Sequence, residues 1–271
     1  MLYFIPTPLG NIEDLSKRAI KYLKSCEIVF CEDTRVAKKL LNLIKERYSV
    51  EMTPKEFISM HSHNEKEIVE KLDKQIFQKS VVYMSDAGMP CISDPGVYLV
   101  RYAQQNGIEY EVLPGSNAAV TAYASSGFVE KEFLFFGFLP HKGSERESSL
   151  VKILDNEYNT IIYESPHRIK KLVKEIADKD GDREIFMQKE ISKMHQKWYK
   201  DSAKNLNDAM QNINTKGEWV VVVKGKKNSN GQITQNDILK ADIAPKQKAK
   251  LLSKISNRST KEWYLELIAN Q

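Results

Sequence analysis

The sequence predicts an α/β fold of two domains followed by a small basic helical module, on three observations. Short, strongly apolar runs alternate with helix-patterned stretches over roughly the first 113 residues, the texture changes after Pro114-Gly115, and positive charge is gathered near the end of the chain. Alternation of this kind is the signature of a mostly parallel sheet with helical crossovers.

In chain order, Leu2–Ile5, Ile28–Cys31, Phe57–His61, Val81–Met84 and Tyr110–Leu113 read as strands. Each is short and almost wholly apolar, which suits a sheet covered on both faces. Helical spacing of apolar residues falls between them, around Leu15–Leu23, Val36–Ile44, Glu65–Phe77 and Val97–Gln105. Residues 1–114 therefore form an expected first domain. Next come a helix of small residues from Ala118 to Ser125, the apolar run Phe133–Phe138 and a polar helical stretch. Ile161–Tyr163, a helix to about Lys179, Ile185–Met187 and Trp219–Val223 complete an expected second domain over 115–225. Some of its strands are too close in sequence for a helical crossover, so antiparallel pairing is expected there. Lys189, Glu190, Lys193 and His195 alternate as a strand does. Residues 226–234 are polar and turn-rich, a linker. In the module over 235–271, Pro245 opens one helix and Ser259-x-x-Glu262 is a capping-box pattern opening another.

The chain has 271 residues, 41 of them basic and 36 acidic, for a net charge of +5, and is 41% hydrophobic. That composition excludes a disordered, collagenous or purely coiled-coil protein. No apolar run reaches the roughly 18 residues of a membrane span. Because Met1–Ile5 enters a strand with no basic stretch ahead of it, no signal peptide is expected and the cytoplasm is the expected location. Cys26, Cys31 and Cys91 show neither CxxC nor zinc-ligand spacing, so reduced thiols are expected. From Lys224 onward ten basic residues face four acidic ones, a net +6 that leaves −1 for the rest. A basic appendage on a nearly neutral body points to a polyanionic partner, of which nucleic acid is the usual one.

Ligands in open α/β sheets bind at the carboxyl ends of the strands, and there the unusual loops lie. They are Pro6–Asn11, His61-Ser62-His63-Asn64-Glu65, Ser85–Gly96 and Pro114–Ala119. None is a Walker loop or a GxGxxG fingerprint, so nucleotide hydrolysis and hydride transfer lack a motif.

Taken together, Thr7-Pro8-Leu9-Gly10-Asn11, Glu32-Asp33-Thr34-Arg35, His63-Asn64-Glu65, Ser85-Asp86-Ala87-Gly88, Ile92-Ser93-Asp94-Pro95-Gly96, Pro114-Gly115, Phe136-Gly137-Phe138-Leu139-Pro140 and Tyr163-Glu164-Ser165-Pro166-His167-Arg168 are specific in order and spacing. With them the chain resembles the ribosomal RNA small subunit methyltransferase I family of the tetrapyrrole-methylase superfamily over nearly its whole length. It departs from that pattern at Ser116-Asn117, where Pro-Ser is usual, and at Gln196-Lys197, where two acids are usual.

The resemblance implies a tetrapyrrole-methylase-like two-domain fold with S-adenosylmethionine in the interdomain cleft, no metal, a homodimer, and 16S rRNA of the small ribosomal subunit as partner. The methyl acceptor it implies is the 2′-hydroxyl of a decoding-centre cytidine, nucleotide 1402 in standard numbering. Cofactor contacts implied are Leu9, Ser85, Asp86, Ala87, Ile92, Asn117, Ala118, Glu164 and Lys224. A sugar hydroxyl is almost un-ionised at neutral pH, so a general base is worth about 10²–10⁴-fold; Glu32, Glu65 and Glu190 are the candidates. Arg35, His63, Asn64, His167, Arg168, Lys189, Lys193, Lys246 and Lys250 are the candidate RNA contacts, arginine being suited to bidentate phosphate binding. Structural readings stand beside these: Asp33 or Thr34 capping the helix from Val36, Asn64 capping the next, and Asp86 or Asp94 capping its own turn.

Three other functions fit parts of the chain. They are a methylase acting on a corrin or porphyrin, a non-catalytic ribosome-associated RNA-binding protein, and a metallohydrolase using the His61-x-His63 spacing with Asp86 or Asp94. The basic tail argues against the first.

Overall fold

A computed structural model describes residues 1–53, 55–226 and 235–269. They fall into two compact units, Met1–Lys226 and Lys227–Gln271. Apart from Lys226, the expected linker over 226–234 lies outside the described residues.

The first unit holds two five-stranded sheets. Strands β1 (Leu2–Ile5), β2 (Ile28–Cys31), β3 (Glu56–Ser59), β4 (Val81–Met84) and β5 (Tyr110–Val112) form one, all parallel, in the order β3-β2-β4-β1-β5. Alternate side chains explain why both faces are apolar. Ile5, Val29, Cys31, Val82 and Met84 pack against helices α1 (Lys17–Ser25) and α2 (Thr34–Tyr48). Leu2, Phe4, Ile28, Phe30, Val81 and Tyr83 pack on the other side against α3 (Glu65–Glu70) and α4 (Val97–Gln105). Asp33 caps α2, its carboxylate accepting from the Arg35 N–H at 2.8 Å. Asn64 does not cap α3: its side chain accepts from the His61 N–H and donates to the Ser59 carbonyl. The helix expected over Glu65–Phe77 is interrupted and resumes as a 3-10 turn over Lys74–Gln78. Because the sheet is parallel, the loops after β1, β2, β4 and β5 emerge along one edge. Paired backbone bonds between Thr7 and Gly88 tie two of them together.

After α5 (Ala118–Ser126), the second sheet is mixed. Its strands are β6 (Phe133–Phe138), β7 (Asn159–Glu164), β8 (Glu184–Lys189), β9 (Lys197–Ser202) and β10 (Trp219–Val223), in the order β6-β7-β10-β8-β9. β6 and β7 are parallel across α6 (Gly143–Leu154), while β10 is antiparallel to both its neighbours. Helices α6, α7 (Ile169–Lys179) and α8 (Ala203–Ala209) cover one face, and α5 covers the other. The segment expected to continue as a strand past Lys189 turns instead. Glu190 (φ 53°) and Ser192 (φ 62°) are left-handed, which breaks the pleat. The chain then returns as β9.

The second unit contains three described helices, α9 (Gln235–Lys240), α10 (Pro245–Leu252) and α11 (Thr260–Ala269), one more than the sequence shows. Ile238, Ala249, Leu252 and Trp263 form its core. The capping box closes with the Ser259 N–H donating to Glu262 (2.7 Å) and the Glu262 N–H to the Ser259 hydroxyl (3.3 Å). Lys246 and Lys250, four residues apart, stand exposed on one side of α10.

Candidate active site

The carboxyl edge of the parallel sheet faces the second sheet across a cavity of about 480 Å³, a size usual for small-molecule sites. From the first sheet and its loops come Leu9, Glu32, Asp86, Ala87, Ile92 and Asp94; α5 contributes Asn117 and Ala118 at its start. The second sheet supplies Phe138, Tyr163, Glu164, Glu218 and Trp219.

Each wall has a local cause. Ser85 is buried beneath the cavity; its hydroxyl donates to the Gly88 carbonyl, and its own carbonyl accepts from Thr7 Oγ1. The loop that follows folds back tightly. Gly96 sits at φ 122°, and a Cβ there would lie 2.7 Å from Cys91 Sγ and 3.0 Å from the Tyr83 ring, so only glycine fits. Asn117 caps α5 by accepting from the Val120 N–H. Tyr163 Oη accepts from the Ala119 N–H at 3.1 Å. Burial pushes the Tyr163 hydroxyl up to about 12, so its proton remains available to a ligand.

Five carboxylates border this space, and two are neutralised by neighbours. Glu164 is held by Arg168 at 2.8 Å, with Arg146 3.6 Å away. Glu218 pairs with Lys193 at 3.0 Å. Glu32, Asp86 and Asp94 have no cationic partner among the described residues. Burial raises all three, and like charge adds to it. Asp86 and Asp33 act on Glu32 against a lowering pull from His61, Asp33 acts on Asp86, and Glu32, Asp86 and Glu218 act on Asp94, which is pushed up to about 7. A desolvated space with three unbalanced acids favours a cationic ligand. A larger, more open groove of about 1010 Å³, lined in part by Gly10, Asn11, Arg47 and Lys193, contains none of these acids.

The structure thus collects Leu9, Glu32, Asp86, Ala87, Ile92, Asn117, Ala118 and Glu164 from the residues singled out in the sequence, and leaves others outside. Lys224 lies at the far end of β10, paired with Glu184 at 2.8 Å. Since β10 is antiparallel to β7, its start faces the cavity, which brings in Glu218 and Trp219 instead. Glu65 is buried and accepts from the Gly96 and Tyr98 N–H groups, both at 2.8 Å, a carboxylate serving a helix N-terminus. Glu190 is not itself in the cavity lining; it stands behind Glu218, accepting from its N–H and from Lys193. Lys189 is buried, donating to the carbonyls of Asn214 and Lys216, so it does not face a solvent-side partner. Arg168 is spent on Glu164 and on the Leu139 carbonyl. Arg35, His63 and His167 are exposed outside the lining; Arg35 pairs with Asp33 at 2.6 Å.

Sequence reasoning missed Glu218 and Trp219, and no signal short of strand direction points to them. Phe138 and Tyr163 stood inside recognisable motifs without a role. Among the described residues, no group of three His, Cys, Asp or Glu side chains is arranged to hold a metal ion, and no helix is long and apolar enough to cross a membrane.

Residues 1–207 match the family described as Tetrapyrrole (Corrin/Porphyrin) Methylases. A Campylobacter fetus protein named ribosomal RNA small subunit methyltransferase I is 50% identical over 270 residues, covering 99% of this chain and 100% of the relative. A Helicobacter pylori protein of the same name is 37% identical, covering 100% and 98%. Among solved structures, a cobalt precorrin-4 methyltransferase superposes with TM-score 0.55 at 18% identity, covering 82% of this chain and 93% of that one. Uroporphyrin-III-C-methyltransferase from Thermus thermophilus gives 0.54 at 15%, with the same coverage. At those identities the two structures speak for the fold alone.

Proposed function

We infer the function from one premise: the chain belongs to the tetrapyrrole (corrin/porphyrin) methylase family and, within it, to the ribosomal RNA small subunit methyltransferase I family. It is a methyltransferase. We propose that it 2′-O-methylates a decoding-centre cytidine of 16S rRNA, nucleotide 1402, in the cytoplasm, with S-adenosylmethionine as donor. The observation that carries it is the cavity with its three unbalanced carboxylates.

The residues present fit that donor, which carries a sulfonium and an ammonium. When bound, it supplies an electrophilic methyl group. Leu9, Ala87, Ile92 and Ala118 give close, mostly apolar walls, Asn117, the Tyr163 hydroxyl and the arginine-paired Glu164 offer polar contacts, and Asp86 adds negative charge. In this reading the lobes over 1–114 and 115–225 grip the donor between them. Holding carbon and oxygen close and in line is worth up to roughly 7–11 kcal/mol. Of the three base candidates read from sequence, Glu32 alone lines the cavity. Lys246 and Lys250, with the exposed Arg35 and His167, serve as backbone contacts that position RNA without reading its sequence. A homodimer is part of the same reading.

Transfer of a tritiated methyl group is the test. Label from S-adenosylmethionine is expected in small ribosomal subunits or their RNA, at a ribose, and not in a corrin or porphyrin. Label entering a tetrapyrrole alone would refute the RNA assignment, and no label anywhere would favour a non-catalytic RNA-binding protein.

A further inference from the structure

The two sides of the cavity differ in chemistry. Glu32, Asp86 and Asp94, the unbalanced acids, all stand on loops of the parallel sheet. Across from them, the ends of β6 and β7 bring one acid, Glu164, which Arg168 neutralises. Leu139-Pro140-His141-Lys142 leaves β6 and Ser165-Pro166-His167-Arg168 leaves β7, with no acid in either segment. The strands are parallel neighbours, so the two loops emerge side by side. An Arg168 N–H donating to the Leu139 carbonyl at 3.3 Å ties one loop to the other. His141, Lys142 and His167 are exposed there.

Among the described residues, three aromatic rings line the cavity on this side, those of Phe138, Tyr163 and Trp219. Trp219 is 1% exposed and Tyr163 half-buried, whereas Phe138 keeps 54% of its surface free. That exposure is not looseness. The slip in register between Phe135 and Gly137 turns Phe138 to the cavity side. Its ring then rests on Tyr163, with centroids 5.5 Å apart and planes at 66°. Tyr163 is itself held twice, by the Ala119 N–H at 3.1 Å and by the Phe135 ring at 5.1 Å. An aromatic ring fixed from one side and open on the other is a prepared surface for a second flat group.

An open ring beside a lysine and imidazole N–H donors is the combination that holds single-stranded nucleic acid: a base stacks on the ring while the backbone follows the polar groups. The acids that suit a cationic donor are on the other side. We propose that Phe138 is the stacking platform for the base of the acceptor nucleotide, setting its ribose at the cavity mouth, with His141, Lys142 and His167 along the path of the flanking phosphates. The proposal rests on the function inferred above and names the side of that site which takes the RNA. Every base has a π-face, so the ring fixes where the nucleotide sits and not which base it carries.

The test compares Phe138→Ala and Phe138→Trp with wild type in methyl transfer to small-subunit RNA, free or assembled into subunits. The target position carries either the normal nucleotide or an abasic one that keeps the ribose 2′-hydroxyl. On normal RNA, Phe138→Ala should lose about 5- to 150-fold in kcat/KM, the worth of one base on one ring, and Phe138→Trp should stay within about threefold of wild type. On abasic RNA, wild type should fall to the level of Phe138→Ala, and Phe138→Ala should lose nothing further, since the contact is already gone. Cofactor affinity by calorimetry and the melting curve should match wild type in both variants, because the ring is exposed. Three outcomes overturn the proposal and leave the methyltransferase reading standing. Phe138→Ala may equal wild type on normal RNA, both may lose equally on abasic RNA, which puts the base elsewhere, or Phe138→Ala may lose cofactor affinity, which gives the ring to the donor. Wild type inert on every small-subunit RNA overturns the reading beneath, and the proposal falls with it.

Discussion

Arg146 approaches the cavity wall from behind. Its guanidinium donates to Glu175 Oε2 at 2.9 Å and to the Pro140 carbonyl at 3.0 Å, and it lies 3.6 Å from Glu164, whose side chain has no exposure. Arg168 holds the same carboxylate from the next turn. Breaking a buried pair from one side typically costs 3–5 kcal/mol, because the remaining charge is left uncompensated. With Arg168 still present, Arg146→Met should cost about 2–4 kcal/mol, lowering the melting temperature by on the order of 10 °C. Cofactor affinity should fall with it, since Glu164 loses one of its two supports. A melting temperature within about 2 °C of wild type would show that Arg146 bears no such load. The same residues mark where sequence stops speaking. The loops that carry Leu9, Asp86, Ala87, Ile92, Asn117 and Ala118 were legible because they leave the carboxyl ends of parallel strands; the choice of those residues within them came from the family resemblance, and the cavity lining includes them. Glu65, Arg168 and Lys189 were not, because each meets a backbone or carboxylate partner that only the fold brings near. A charged residue near a motif looks the same in sequence whether it reaches a ligand or stabilises a turn.

Strand β6 shows how an element aims a side chain. Residues three apart on a regular strand point to opposite faces, yet Phe135 and Phe138 both meet the Tyr163 ring, with centroids 5.1 and 5.5 Å away. The register with β7 slips between Phe135 and Gly137, and this bulge swings Phe138 to the cavity side. Gly137 makes it possible at φ 76°; a Cβ there would meet only Ser93 Oγ at 3.6 Å and Phe135 at 3.9 Å. Space is therefore not the obstacle, and backbone conformation is. Gly137→Ala should cost roughly 1–2 kcal/mol in a denaturant melt and also weaken ligand binding, by shifting Phe138. Gly143→Ala is the control, with φ 80° and nothing within 4 Å; it should cost similar stability without touching binding. Equal effects of both changes on binding would mean that the bulge aims nothing. The inner strands β1, β2 and β4 of the parallel sheet were readable because strands buried on both faces are apolar throughout. β9 was not, since Lys197, Lys200 and Asp201 make it polar, as befits an edge. The turn after Lys189 imitated a strand through its alternating charges, and only its left-handed residues give it away.

At the scale of the molecule, charge is divided between two tasks. The body carries −1 and the tail +6, and in the proposed function the acids of the cavity attract a cationic donor and repel phosphate. The two affinities should therefore be separable. Each lysine or arginine on a phosphate releases counterions, and the logarithm of affinity falls with that of salt by roughly 0.7–0.9 per contact. Removing residues 227–271 should flatten that slope by about 2–4 and weaken RNA binding severalfold at low salt. The remaining unit has hydrophobic cores of its own, so it should fold and bind S-adenosylmethionine as the full chain does. Asp86→Ala should do the opposite, weakening the cofactor while leaving the salt slope unchanged. Fluorescence polarisation with a decoding-centre RNA from 50 to 300 mM salt reads one quantity, and titration calorimetry reads the other. If the truncated chain kept the full salt slope, the phosphate contacts would have to lie on the body, where Arg35 and His167 are the exposed candidates. If it lost cofactor binding while remaining folded, the two tasks would not be separate, and the division of charge would have another cause.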